Sequence, residues 1–154
     1  MNYRIATQQD LDYVRDNPYE GAVKDYPYME IPNENCFTAI FKDEIVAVGG
    51  IVIHWPGMAE VWMIITNHCN KNGLYGIVTL GAIREKMEEL IKDNNIIRAQ
   101  ATVRIDFPVA KKMIEFLGFQ QEGLLRQYCP DRCDAYRYAK IYDRTDQWQE
   151  YSKT

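Results

Sequence analysis

The apolar positions of this chain follow two rhythms, every second residue and every third or fourth, separated by polar clusters. The alternating rhythm is cleanest in "IIRAQATVR", where Ile97, Ala99, Ala101 and Val103 oppose Arg98, Gln100, Thr102 and Arg104. Successive side chains of a strand point to opposite sides, so this is a strand with one buried face. "CFTAIFKDEIVAVGGIVIHW" holds two strand-forming runs around Lys42-Asp43-Glu44, a β-hairpin signal. Gly49-Gly50 in the second run predicts a bulge or a close backbone approach. Pro56-Gly57 makes the next turn. "AEVWMIIT" follows it, apolar on both faces after Glu60, as a central strand covered from both sides should be. "YRIA" reads as a short first strand, and two more are expected near Gln120 to Gln127 and Ala135 to Asp143.

The helical rhythm appears three times. Thr7 can cap a helix from about Gln8 to Asn17, with Asp10 in its first turn, where negative charge is favourable. After a polar loop holding Gly73 and Gly76, the residues Ile77, Leu80, Arg84, Met87 and Leu90 or Ile91 recur at helical spacing, ending near Asp93-Asn94-Asn95. Pro108 opens a further helix at its first position, and Gly118 closes it as a left-handed cap. "NPYEGAVKDYPYMEIPNEN" is rich in Pro, Gly and Asn and predicts a long connection with a short helix inside it, a lid or substrate wall. The order is β-α-α-β-β-β-α-β-α-β-β, an α/β (mixed α+β) chain with helices on both faces of a mixed sheet. The 154 residues, 1–154, form a single domain with no internal repeat or linker.

Composition narrows the function classes. A net charge of −4 argues against a general nucleic-acid binder, which usually shows a basic surface. No apolar run reaches the length of a membrane span and no signal-peptide core precedes the first strand, so a cytoplasmic protein is expected. Its four cysteines are then reduced thiols. Cys129 and Cys133 lack the spacing of a zinc or redox pair, and with only His54 and His68 besides, no metal is expected. The single serine is Ser152, which excludes a serine-nucleophile hydrolase.

Five stretches, in this order, resemble the GCN5-related N-acetyltransferase superfamily over roughly the whole chain. "RIATQQDLDYV" is similar to the family's opening strand and helix, "FKDEIVAVGGIVI" to its second and third strands, and "AEVWMIIT" to its fourth, with Glu60 at the position of a family glutamate. "VAKKMIEFLGFQQEGLLRQY", where Ala110 stands nine residues before the phenylalanine of "GF", and then Asp134 and Tyr138 complete the set. The resemblance implies a mostly antiparallel sheet of six to seven strands and acetyl-CoA as co-substrate. The family's loop, Gln/Arg-x-x-Gly-x-Gly/Ala, is matched in part: Asn70, Gly73 and Tyr75 in one register, Lys71, Leu74 and Gly76 in the other. Either way one glycine is missing. Such a loop binds phosphate through backbone N–H groups, which do not need glycine where the backbone stays right-handed. Lys71, Asn72, Gly73, Leu74, Tyr75 and Gly76 are therefore the expected phosphate contacts.

The resemblance also implies direct attack of an amine on the thioester. Glu60 is the candidate base, its alternative being a solvent-facing strand end; partial burial would favour the role. A backbone N–H near Ile64, Ile65 and Thr66 would face the thioester carbonyl. Many family members protonate the leaving thiolate with a helix tyrosine, whose position here is Ile114. Tyr128, Tyr136 and Tyr138 are substitutes, with Tyr128 placed in the site. Tyr19, Tyr26, Tyr28 and Met29, with Asp25 and Glu30, either form an acidic, apolar mouth for a cationic substrate or pack the connection onto the sheet. Trp55, Trp62 and Trp148 are expected in the core or at an interface, and Arg104 and Arg126 either end strands in solvent or meet nucleotide phosphates.

Two functions follow. The first is an N-acetyltransferase acting on a primary amine of a small molecule or protein. The second is an inactive module of the same shape that has lost acetyl-CoA and binds a partner. An edge strand would allow a homodimer.

Overall fold

The computed structural model describes residues 1–27, 29–70 and 73–142, with the backbone alone for residues 70 and 73–78. Seven strands form one sheet: β1 (Asn2–Ile5), β2 (Cys36–Phe41), β3 (Glu44–Trp55), β4 (Met58–Ile65), β5 (Arg98–Arg104), β6 (Gln120–Leu125) and β7 (Ala135–Ile141). Their spatial order is β1-β2-β3-β4-β5-β7-β6. Every neighbouring pair is antiparallel except β4 and β5. The helices are α1 (Gln8–Asp16), α2 (Gly73–Asp93) and α3 (Pro108–Phe116), and a 3-10 turn at Gly21–Asp25 is the short helix of the long connection. Among the described residues no helix is long and apolar enough to cross a membrane.

Local chemistry accounts for the element ends. Thr7 accepts from the Asp10 amide while the Asp10 carboxylate accepts from the Thr7 amide, a capping box that starts α1. Lys42 and Asp43 both adopt positive φ, 49° and 63°, as the tight turn between β2 and β3 requires. At the end of α3, Gly118 takes φ +88° and its amide donates to Glu115, while the Phe119 amide donates to Ile114. Those two bonds are the Schellman pattern. The Gly49-Gly50 pair marks close approach, not a bulge. A Cβ on Gly49 would sit 2.7 Å from the Trp62 carbonyl oxygen, and one on Gly50 would strike the backbone of Asn35 and Cys36. The irregularities of β3 lie elsewhere, opposite Ala39/Ile40 and at Ile53/Trp55. The last two strands end earlier than their sequence suggests, β6 at Leu125 and β7 at Ile141. Asp143 lies outside the described residues.

The two faces of the sheet are covered differently. Ile83, Met87 and Ile91 of α2, with Met113 and Leu117 of α3, bury Ile51, Val61, Ala99 and Ala101 in one large apolar cluster. On the other face Leu11 and Val14 of α1 pack on Cys36 and Val48, with Trp62 and Ile64 at the margin. Here a buried ionic group adds to the packing. Asp10, 4% exposed, accepts from the Thr38 hydroxyl at 2.8 Å and from the Arg4 guanidinium at 2.7 Å. Part of the connection between α1 and β2 is tied to this face. Gln8 holds it by donating to the Met29 carbonyl and accepting from the Ile31 amide, and Arg15 donates to the Tyr26 carbonyl.

One feature of the pairing opens the sheet. β4 and β5 pair only at Met58–Arg98, Ala59–Ala99 and Glu60–Gln100, then diverge. Val61–Ile65 and residues 101–104 are left as the two banks of a gap. Its far end is closed by the connection: Pro18 bridges to Thr66, the Tyr19 amide donates to the Ile65 carbonyl, and the Asn67 amide donates to the Asn17 carbonyl.

Candidate active site

A cavity of about 380 Å³ occupies this gap. Strand alternation sorts its walls. Val61, Met63, Ile65, Ala101 and Val103 face the α2/α3 side, where Met113, Ile114 and Leu117 complete an apolar lining. Glu60, Trp62, Ile64, Thr102 and Arg104 face the α1 side, joined there by Glu20, Val23, Tyr26 and Met29 of the connection and by Tyr128 and Cys129. The cavity therefore passes through the sheet, apolar at one end and polar at the other. A smaller cavity of about 110 Å³ adjoins it, sharing Ile65 and Met113 and lined also by Cys69, ahead of α2, and by Thr79 within α2.

Glu60 sits where the two strands part. Its Oε2 accepts from the Gln100 amide at 2.8 Å, and its Oε1 from the Arg137 guanidinium at 2.8 Å. The His54 Nε2 lies 3.7 Å from Oε2. One polar row thus crosses β3, β4, β5 and β7. Glu60 is 25% exposed, so it is neither a solvent-facing strand end nor a sealed carboxylate. Each oxygen keeps a further lone-pair direction for a ligand proton.

The strand residues Ile64, Ile65 and Thr66 divide between the two sides of β4. The Thr66 amide donates to the Val46 carbonyl of β3, whereas the Ile65 carbonyl accepts from Tyr19 on the gap side. Since N–H and C=O of one strand residue share a side and successive residues alternate, Ile64 and Thr66 turn toward β3, and Met63 and Ile65 face the gap. Of the three residues read from the sequence, Ile65 keeps its place and Met63 joins it.

The glycine-bearing segment also differs from its sequence reading. Lys71 and Asn72 lie outside the described residues. Gly73, Leu74, Tyr75 and Gly76 form the first turn of α2 instead of a loop before it. The backbone there is right-handed helix, which any residue adopts, so a missing glycine imposes no conformational obstacle. The amides of this turn have no acceptor within the helix and carry the positive end of its dipole, the property a phosphate needs.

The three candidate tyrosines separate. Tyr128 lies in the turn after β6, half exposed, and lines the cavity. Tyr138 is 1% exposed and donates to Glu115 at 3.2 Å; burial first, and that carboxylate next, push its phenol above the usual range. It belongs to the α2/α3 core and not to the cavity wall, and Tyr136 packs edge-on against it. Ile114, where the family places its tyrosine, is buried in the apolar wall. Of the residues read as a possible mouth, Tyr26 and Met29 line the cavity and Tyr19 lines the smaller one, while Tyr28 lies outside the described residues. Burial raises the Tyr26 phenol to about 12, with its contact to the Cys129 thiol the second cause, so it stays a neutral donor at neutral pH.

Arg104 is not free to meet phosphate. Its guanidinium makes paired hydrogen bonds to both Asp106 and Asp131, at 2.8 to 2.9 Å. Sequence reasoning missed Trp62 and Thr102 as cavity residues, although each stands two positions along its strand from Glu60 or Gln100 and so shares that face. Trp55 is 61% exposed, and Trp148 lies outside the described residues.

A mixed seven-stranded sheet opened between its fourth and fifth strands, with the acidic residue at the fork and a helix starting beyond it, is the GCN5-related N-acetyltransferase fold. The chain has that fold. It is similar to the Ard1 structure from Thermoplasma volcanium at 16% identity and a TM-score of 0.66, covering 91% of this chain and 96% of that one. The ribosomal-protein-S18-alanine N-acetyltransferase from Escherichia coli gives 19% identity and 0.66 over 91% and 92% of the two chains. A spermidine N-acetyltransferase variant from Vibrio cholerae gives 16% and 0.64 over 91% and 92%. No family model and no curated protein matches the sequence. At these identities the likeness establishes the fold.

Proposed function

We propose that this chain is an N-acetyltransferase that moves acetyl from acetyl-CoA to a primary amine. The observation carrying the proposal is the cavity that crosses the sheet at the β4–β5 fork, with Glu60 on its polar side and an apolar wall on the other. A long thioester and an amine can then approach from opposite faces and meet between two strands. The described residues fit acetyl-CoA: the apolar bank suits a pantetheine arm, the adjoining cavity leads toward α2, and the first turn of α2 offers amides to a pyrophosphate.

When bound, acetyl-CoA supplies an acetyl group activated as a thioester. Glu60 accepts a proton from the incoming ammonium, which is mostly protonated at neutral pH, and so frees the lone pair that attacks. The amides of Met63 and Ile65 donate to the oxygen that gains charge as the C–N bond forms. Tyr128 offers a proton to the sulfur as the C–S bond breaks. A thiolate leaves well enough that this last contribution is the smallest.

The second reading, an inactive module, draws on Ile114 standing in the wall where relatives carry a proton donor. Thermal unfolding with acetyl-CoA decides between them. A ligand at ~100 times its dissociation constant stabilises the native state by about 2.7 kcal/mol. A clear rise in Tm, followed by thiol release with amines, is the expected result. No rise at millimolar acetyl-CoA would leave the fold without the activity.

A further inference from the structure

The turn between β6 and β7 sets two thiols opposite each other. The Arg132 amide donates to the Cys129 carbonyl at 2.8 Å, and the Cys129 amide donates to the Cys133 carbonyl at 3.1 Å. Pro130 follows Cys129, and Arg132 takes φ 71°. Together these make a three-residue hairpin loop, a tight turn that ends in one left-handed residue. Cys129 and Cys133 flank that loop as a directly opposed pair on one side of the ribbon. Four positions apart, they lack the Cys-x-x-Cys spacing, and the turn supplies the proximity instead. Cβ atoms of opposed residues stand roughly 4.5–5.5 Å apart and those of a disulfide about 3.5–4.5 Å, so a tightening of about 1 Å closes the bond.

The two thiols are placed differently. Cys133 is half-buried behind the exposed residues 130–132. Cys129 is 1% exposed, lines the cavity directly after Tyr128 and touches the Tyr26 phenol. A reagent thus meets Cys133 first, and Cys129 is reached through it. Burial raises the Cys133 thiol; the Asp106 carboxylate and the Cys129 thiol add to the rise and the Arg104 guanidinium opposes it. Exchange at Cys133 is therefore slow at neutral pH and quickens as pH rises.

We propose that Cys129 and Cys133 form a reversible redox switch, which a small-molecule disulfide closes to an internal disulfide that draws Cys129 off Tyr26 and shifts the cavity wall. The Cys133 thiolate attacks one sulfur of the reagent and expels a thiolate. The Cys129 thiolate then attacks the Cys133 sulfur of the mixed disulfide and expels the second. Two cysteine protons and two electrons pass to the reagent, which leaves as two thiols. Only the effect on turnover rests on the transferase reading.

The test incubates the whole chain with oxidised glutathione at about pH 8.5, the ordinary range of a thiol, before alkylation and tryptic digestion. Cleavage after Arg126, Arg132 and Arg137 puts the two cysteines on separate peptides, 127–132 and 133–137. The expected product is those two peptides joined and released by dithiothreitol, with Cys36 and Cys69 alkylated. Cys129→Ser should stop at one glutathione on Cys133. Separate alkylation of Cys129 and Cys133 in the oxidised wild-type chain, or a glutathione on each, overturns the couple.

The effect on the cavity has two readouts. In a chain carrying fluorotyrosine, the Tyr26 resonance, assigned with Tyr26→Phe, should move on oxidation and stay in place in Cys133→Ala. Acetylated amine should fall about fivefold, the worth of one lost hydrogen bond, and recover on reduction, with Cys133→Ala indifferent to the reagent. A closed disulfide that leaves Tyr26 or the rate unchanged overturns the switch. If the Tyr26 resonance moves yet neither form acetylates an amine, the transfer reading falls and the switch stands. If amines are acetylated and no joined peptides form, the switch falls and transfer stands.

Discussion

The two faces of the sheet meet at the same gap but are built on different principles. On one side α2 and α3 press an unbroken apolar cluster against β4 and β5, and the cavity wall there consists of core side chains. On the other, α1 covers only part of the sheet and is held by Asp10, a buried carboxylate with three donors; the rest is a tethered connection and a row of polar residues. The contrast teaches how one cavity can serve two chemistries. The face sealed by apolar area presents aliphatic and thioether side chains to the cavity. The face assembled from hydrogen bonds leaves oriented donors and acceptors where a polar reactant must be held.

The comparison is broken most severely at Glu60. Glu60→Gln should lower thiol release from acetyl-CoA and an amine by about 100-fold or more at neutral pH, the range of general-base loss, with the Tm little changed. An unaltered rate would return Glu60 to a structural part of the His54–Gln100–Arg137 row. Next comes Asp10→Ala, which removes the carboxylate half of the α1 capping box, leaves the fully buried Thr38 hydroxyl without its acceptor and releases Arg4. A loss of about 2–4 kcal/mol in urea unfolding is expected. A loss below ~1 kcal/mol would mean that α1, too, is held by apolar contact alone.

The two tyrosines sharpen the contrast. Tyr128→Phe should slow turnover about tenfold without destabilising the chain, because the residue lines the cavity and is half exposed. Tyr138→Phe should cost about 1 kcal/mol of stability, the worth of its bond to Glu115, and leave turnover alone. Reversal of that pattern would place the acid on the helix-covered face.

The smallest effect is a pH dependence. Arg104 lowers the Asp131 carboxyl from 3.8 to about 2, chiefly through their hydrogen bond. A depressed folded-state pKa stabilises the native chain above the unfolded value, and that contribution fades as pH falls from about 4 toward 2. The stability of Asp131→Asn should therefore converge on that of the wild type over this interval, as followed by chemical denaturation. Parallel curves would show that the pair adds nothing to stability.

Much of the architecture was written locally. Thr7 and Asp10 mark the start of α1, Pro108 and Gly118 bound α3, and alternation in residues 98–104 gives β5 its buried face, because caps, turns and strand faces depend on residues a few positions apart. Glu60 could be placed on the fourth strand for the same reason, whereas Gly73 and Gly76, read as a loop, belong to the first turn of α2. What only the tertiary structure decided concerns directions and distant partners. The parting of β4 from β5 after three pairs, the turning of Met63 and Ile65 instead of Ile64 and Thr66 toward the gap and the pinning of Arg104 between two aspartates all depend on strand register. Most of these partners lie about 20 to 40 residues apart in the chain, as Val46 does from Thr66, Asp131 from Arg104 and β5 from β4, and no short stretch of sequence records them.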